Sequence, residues 1–223
     1  MNVLIVLAHP ERNSFNGALF DTACETFASN GHQMQTSDLY RMNFDPCSGA
    51  SNFTSRKNAD YLKLQIEEIH ATETGGFAAE IEQEMRKVEA ADLILLQFPL
   101  WWFSLPAILK GWVDRVFAMG RTYGNGRFYE HGVFRGKRAM LSLTTGGPVE
   151  AYESGGFNGD MMSILRPIHR GILQFVGFDV LAPAIHYGPA HVEDVQRRQW
   201  LAEYANRLKK IDDESKLDVG QYV

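Results

Sequence analysis

Three stretches of this sequence combine residue types that can grip a ligand. The first, His9-Pro10-Glu11-Arg12-Asn13-Ser14-Phe15-Asn16, follows an apolar run at residues 3–8 and precedes a helical pattern. Free backbone N–H groups and the positive end of a helix favour an anion there, typically a phosphate. Ser14 and Asn16 add side-chain donors and His9 a donor or cation, although Ser14 also suits a plain helix N-cap. The second stretch, Pro99-Leu100-Trp101-Trp102-Phe103-Ser104-Leu105-Pro106, sets three aromatics side by side after another apolar run. Consecutive residues cannot all face one core, so at least one ring is expected to meet a ligand or another subunit; chance exposure is the plainer alternative. The third holds Thr144-Thr145-Gly146-Gly147, then Tyr152, then Gly155-Gly156-Phe157-Asn158-Gly159-Asp160. Paired glycines let a backbone approach a ligand closely, and they also make ordinary turns.

Several other chemistries lack their residues. Neither G-x-G-x-x-G nor G-x-x-x-x-G-K-[ST] occurs, which counts against a nicotinamide Rossmann site and a P-loop NTPase. No G-x-S-x-G supports a hydrolase elbow. The seven histidines form no H-E-x-x-H. One Glu67-x-x-His70 pair falls short of the two that a carboxylate-bridged diiron centre needs, and reads as a solvated helix face. No metal site is expected. The two cysteines, Cys24 and Cys47, make no C-x-x-C pair and no disulfide framework, and Met1-Asn2 leads straight into the apolar run without a basic leader. The reading is of a cytoplasmic protein. A formal charge of −5 disfavours a nucleic-acid partner. Residues 93–109 carry no formal charge, but Pro99 and Pro106 fit a strand, a turn and a helix start better than a membrane span.

The elements that must position these stretches follow from periodicity. Continuous apolar runs at 3–8 and 93–98 read as strands buried on both faces, which is the habit of parallel sheets. Residues 34–39 and 138–143 supply two more, and 178–181 with 185–187 a fifth, interrupted one. Helical spacing appears from Ser14 to Gly31, at 61–69, 78–90, 106–119 and 161–175, with a break expected at Pro167, and at 192–211. The residues from 212 to 223 read as a frayed tail. Strand and helix alternate about five times, so a doubly wound five-stranded parallel α/β sheet with helices on both faces is expected, in one domain over 1–223. Ligands of such sheets bind beyond the carboxyl ends of the strands, where the strand order reverses.

Five segments carry a resemblance: VLIVLAHPERNSFNGAL at 3–19, SDLYRMNFDP at 37–46, EAADLILLQFPLWWFSLPAILKGWVDRVF at 89–117, LSLTTGG at 141–147 and GILQFVGFDVLAP at 171–183. Together they resemble the NAD(P)H:quinone oxidoreductases, of the DT-diaphorase type and its shorter paralogue, over nearly the whole chain. The resemblance implies a flavodoxin-like fold, FAD, and a homodimer with active sites at the subunit interface. Hydride would pass from a reduced nicotinamide to the flavin and then to a quinone, in ping-pong order. By position, His9, Ser14, Phe15, Asn16 and Gly17 would hold the pyrophosphate and ribityl chain, and Leu100, Trp101, Trp102 and Phe103 would line the isoalloxazine. Thr144, Thr145, Gly146 and Gly147 would meet its edge, with Tyr152 beside it and Arg197 near the adenine. Trp102 and Phe103, with Tyr123, Asn125 and Phe175 of the other subunit, would form the substrate pocket. Asn158 stands where the longer enzyme has histidine, so Tyr152 and Asn158 are the candidate catalytic pair and no imidazole relay is available. Arg170 and Gln174 replace the paralogue's metal-binding histidines. Alternatives are a flavodoxin-like FMN electron carrier, an azo- or nitro-reductase, and a flavin-free interaction module.

Overall fold

In the computed structural model, which describes residues 1–220, the first apolar run is strand β1 (Asn2–Leu7), hydrogen-bonded on both sides. One neighbour is β2 (Gln33–Asp38) and the other β3 (Leu93–Pro99); both run parallel, with Ile5 opposite Thr36 and Leu95. Beyond β3 lies β4 (Arg138–Thr145), then β5 (Asp179–Val180), giving the order 2-1-3-4-5. The fifth position is split, as the interrupted pattern suggested. β5 and β6 (Ala184–Tyr187) each pair with β4, on either side of Ala182-Pro183. Pro183 has no N–H for the ladder, and Arg207 takes the Ala182 and Pro183 carbonyls.

Alternate strand residues bury themselves on opposite faces. Val3, Ile5, Leu7, Leu93 and Leu95 pack under α1 (Phe15–Ser29) and α6 (Asp194–Leu208). Leu4, Val6, Ile94, Leu96 and Phe98 pack under α3 (Ala79–Ala90), α4 (Ala107–Val116) and α5 (Met161–Ile168). Both faces are therefore dry, which explains the uninterrupted apolar runs. Residues 93–109 resolve into β3, a turn and the start of α4. Among the described residues no helix is long and apolar enough to cross a membrane.

Three local readings change. The helix expected from 161 stays continuous through Pro167, where a break was expected, and widens into a π-turn just after it, at His169–Gln174. Glu67, in α2 (Leu64–Thr74), is not on a solvated face: it is 1% exposed, and its carboxylate accepts the Lys57 and Asn58 amides at 2.5 and 3.0 Å. From 212 onward the chain is tied down where fraying was expected. Glu214 pairs with Arg207 and Lys216 with Asp179, and the Leu217 amide donates to the Val180 carbonyl at 2.7 Å. Leu217 also packs against the core, which offsets the ordering of that segment. The last three residues of the expected tail lie outside the described residues.

Candidate functional site

The strand order reverses between β1 and β3, and a cavity of about 730 Å³ opens there at the carboxyl ends of β1, β3 and β4. Its floor begins at the start of α1. Ser14 is the N-cap, and its hydroxyl accepts the Gly17 amide at 3.2 Å. Among the described residues the Phe15 and Asn16 amides have no protein acceptor, and both residues line the cavity. These are orphan donors of a first helical turn, in the arrangement that receives an anion.

Asn16 faces inward as well. Its carboxamide accepts from Gln97 Nε2 at 2.9 Å and donates to Thr144 Oγ1 at 2.9 Å, clamping the ends of β3 and β4 to α1. Sequence reasoning gave Gln97 no role in the site, although a glutamine inside LILLQF is the signal that reveals it. Thr145 Oγ1 donates to the Gly147 carbonyl at 2.7 Å and accepts the Gly188 amide at 3.3 Å. The two threonines thus brace the rim with their hydroxyls while lining the cavity.

One wall is apolar and backed by rings. Phe15 lines the cavity and meets His186 edge-on at 5.5 Å and Trp200 at 6.0 Å. His186 also contacts Trp200 and Tyr204, at 5.7 and 5.8 Å. Burial pushes the His186 imidazole down to about 4, so the wall is uncharged at neutral pH. Leu100 and Trp101 also line the cavity, and the Trp101 ring stands 6.4 Å from that of His9.

The α6 end of the cavity is made by the start of α6 and the loop before it, with Pro189, Ala190, Asp194, Arg198 and Leu201. That loop follows the carboxyl end of β6, where a parallel sheet presents its ligand contacts, but these residues carry no motif of their own. Arg197 lines this end too, and its guanidinium is spent on building it: it donates to the Pro189 and Val192 carbonyls and pairs with Asp194.

The cavity therefore gathers His9, Ser14, Phe15, Asn16, Leu100, Trp101, Thr144, Thr145, Gly146 and Arg197. The other expected residues stand apart from its lining. Gly17 is a packing glycine: a Cβ there would lie 1.9 Å from the Arg12 carbonyl oxygen. Tyr152 lies beside Gly147 and stacks at an angle on Tyr187, 5.8 Å away. Asn158 donates its amide to the Ala151 carbonyl at 2.7 Å. Trp102 and Phe103 form a two-residue turn closed by Trp101 N to Ser104 O (3.2 Å) and Ser104 N to Trp101 O (3.0 Å). Their φ angles are +50° and +58°, and Trp102 is 96% exposed. Tyr123 and Phe175, with ring centroids 5.7 Å apart, line a separate groove of about 260 Å³ with Lys110 and Asp114. Asn125 is exposed, at φ +55°. Arg170 donates to Gln174 at 3.2 Å and stacks on Tyr129. Among the described residues no three His, Cys, Asp or Glu side chains converge as metal ligands.

Comparison with known proteins places this arrangement. A profile of the flavodoxin-like fold matches residues 1–210. The chain is 44% identical over 210 residues to the rat (Rattus norvegicus) ribosyldihydronicotinamide dehydrogenase [quinone], covering 94% of this chain and 91% of that protein. It is 42% identical over 215 residues to rat NAD(P)H dehydrogenase [quinone] 1, covering 96% and 78%. A crystal structure from Klebsiella pneumoniae, of a protein provisionally named a quinone reductase, superposes with a TM-score of 0.93 at 38% identity, covering 97% of this chain and 86% of that one. The order 2-1-3-4-5, the cavity at its reversal and these likenesses agree: the chain belongs to the flavodoxin-like family of NAD(P)H:quinone oxidoreductases.

Proposed function

We propose that this chain is an FAD-dependent two-electron quinone reductase that works as a homodimer. The observation that carries this reading is what one cavity of about 730 Å³ gathers: the apolar side chains of Leu100 and Trp101, the free amides at the start of α1, and the loop and first turn of α6 with Pro189, Ala190 and Arg197. An apolar wall, an anion site and a further wall together suit a ring, a pyrophosphate and a nucleoside. Family membership supports an oxidoreductase that uses a flavin, and the α6 wall is what favours FAD over FMN.

A bound flavin would supply the hydride chemistry that links a reduced nicotinamide to a quinone. The chain's own residues bind and orient. The Phe15 and Asn16 amides and the Ser14 hydroxyl would hold the phosphates, Leu100 and Trp101 would meet the ring, and the loop held by Arg197 would meet the nucleoside. Trp102 and Phe103 are left facing solvent, and Tyr123, Asn125 and Phe175 are not brought to them within one chain. A second copy supplying those three residues would complete the substrate pocket.

Titrating the purified chain with FAD and with FMN tests the cofactor: FAD should bind more tightly and raise the melting temperature more. Stopped-flow mixing with NADH, NADPH and a dihydronicotinamide riboside, then with a naphthoquinone, tests the reaction. No bleaching by any donor would overturn it. Tyr152 is the residue expected to hold a hydrogen bond toward the charged edge of the ring. Losing such a bond costs about 1.5–3 kcal/mol, so Tyr152→Phe should slow turnover roughly tenfold to a hundredfold with flavin still bound. Asn158→Ala should matter less, because its amide has no proton to relay.

A further inference from the structure

Glu68 is a buried carboxylate that the reading above leaves unused. It lies in α2, 6% exposed, and burial pushes its carboxyl above the usual range. The one hydrogen bond the carboxylate accepts among the described residues is from the Met119 amide, at 2.7 Å. Serving a single backbone N–H with a buried charge is costly, so the contact calls for an explanation beyond packing.

Met119 opens the loop that carries Tyr123 and Asn125. The loop is closed on itself: the Gly120 amide donates to the Tyr123 carbonyl at 2.8 Å, and Arg127 donates to the Gly120 and Gly124 carbonyls. It seats on α2 at two adjacent points. Glu68 takes the Met119 amide, and Gly120, at φ +90°, sits beside Ile69, where a Cβ would be in van der Waals contact with the Ile69 Cα at 3.4 Å. Gln65, one turn earlier in α2, lies near the Tyr123 side chain and partly opposes the rise in its pKa. Burial and the nearby Glu68 charge both keep the Tyr123 phenol protonated. Its ring then stands against Phe175 in the groove with Lys110 and Asp114.

We propose that Glu68 is the positioning residue of the acceptor pocket: by holding the Met119 amide it fixes the 118–128 loop on α2 and so sets Tyr123 in place for the quinone. This rests on the quinone-reductase reading only for what Tyr123 meets; the anchoring of the loop does not.

Two measurements on the FAD-loaded protein test it, with Glu68→Ala and Glu68→Gln. In Glu68→Ala, amide hydrogen exchange across 117–128 should quicken about tenfold. The KM for menadione should rise several-fold with kcat nearly unchanged, the pattern of lost ground-state positioning. The Kd for FAD should not move, because Glu68 is outside the cavity lining. Glu68→Gln should restore both readings, since its amide oxygen can accept the same N–H. Should Glu68→Ala fail to fold, Glu68→Thr, polar but too short to reach the amide, takes its place. Unchanged exchange in Glu68→Ala overturns the anchoring role, as does a Glu68→Gln protein that exchanges as fast as Glu68→Ala. Faster exchange with an unmoved menadione KM overturns the role in acceptor binding. A wild-type chain that binds no flavin would sink the parent reading, while the exchange measurement would still decide the anchor.

Discussion

The cavity between α1 and α6 and the aromatic turns outside it are built on opposite principles. Each wall of the cavity is held by another: Asn16 ties α1 to Gln97 and Thr144, Thr145 ties β4 to Gly188, and Arg197 ties α6 to its own loop. Asn16, Thr144, Thr145 and Arg197 are committed within the chain while the two amides at the α1 start stay free, so a ligand finds this part of the geometry already made. The turns are the reverse. Trp102 and Phe157, on the loops after β3 and β4, are 96% and 98% exposed. Trp102 and Phe103 also occupy the left-handed region, which bulky residues avoid. One region is finished within the chain, and the other spends stability on surface that a single chain leaves uncovered. Rings displayed this way are typical of surfaces that another protein covers.

The contrast is broken most severely at Gly17. A side chain there collides with the Arg12 carbonyl, so Gly17→Val has to move either the 9–14 loop or the start of α1. We expect a loss of roughly 2–3 kcal/mol of stability, the cost of overpacking, with FAD affinity falling at least a hundredfold. Urea unfolding and a flavin titration read both. A variant that is destabilised but binds FAD normally would show that the cavity does not depend on the α1 start.

Acid tests the wall behind Phe15. His186 is held down to about 4 by burial, and His169, fully buried and with neither ring nitrogen partnered among the described residues, is likewise held down to about 4. Each is neutral in the folded protein and protonates near 6.5 when unfolded. Between those values the unfolded chain binds more protons, so stability is full above about pH 6.5 and falls as pH drops toward 4. The slope is about 1.4 kcal/mol per pH unit for each histidine. Denaturation at pH 7, 6 and 5 should show it, and His186→Phe should remove about half of it. A flat profile would mean that water or a ligand reaches these rings.

The sequence exposed the finished region better than the unfinished one, for physical reasons. Buried parallel strands announce themselves as apolar runs, and Ser14 and Pro106 mark helix starts through local backbone chemistry, so the sheet and the loops around its reversal were legible. Chemistry that depends on tertiary approach was not. Glu67 has the spacing of an outward helix residue, yet the 57–58 backbone folds over it and turns it into an internal acceptor. Pro189, Ala190 and Leu201 line the cavity because α6 lies against α1, which no local pattern states. Leu217 finds the Val180 carbonyl because β5 is only two residues long and leaves it unpaired.

The smallest expected change is the most discriminating. The Trp101–Ser104 turn has both central residues at positive φ, a geometry that favours asparagine and glycine over tryptophan. Strain at such a residue is of order 1–3 kcal/mol. Trp102→Asn should recover part of it and raise stability by up to about 1 kcal/mol, since an almost fully exposed ring gives up little burial. If the strained turn exists to present a ring to an acceptor and a second copy, the same substitution should raise the quinone KM and weaken self-association measured by sedimentation, while FAD still fills the cavity. A more stable variant with unchanged KM and unchanged assembly would leave the exposed indole without that role, and would reduce the contrast between the two regions to a matter of surface accident.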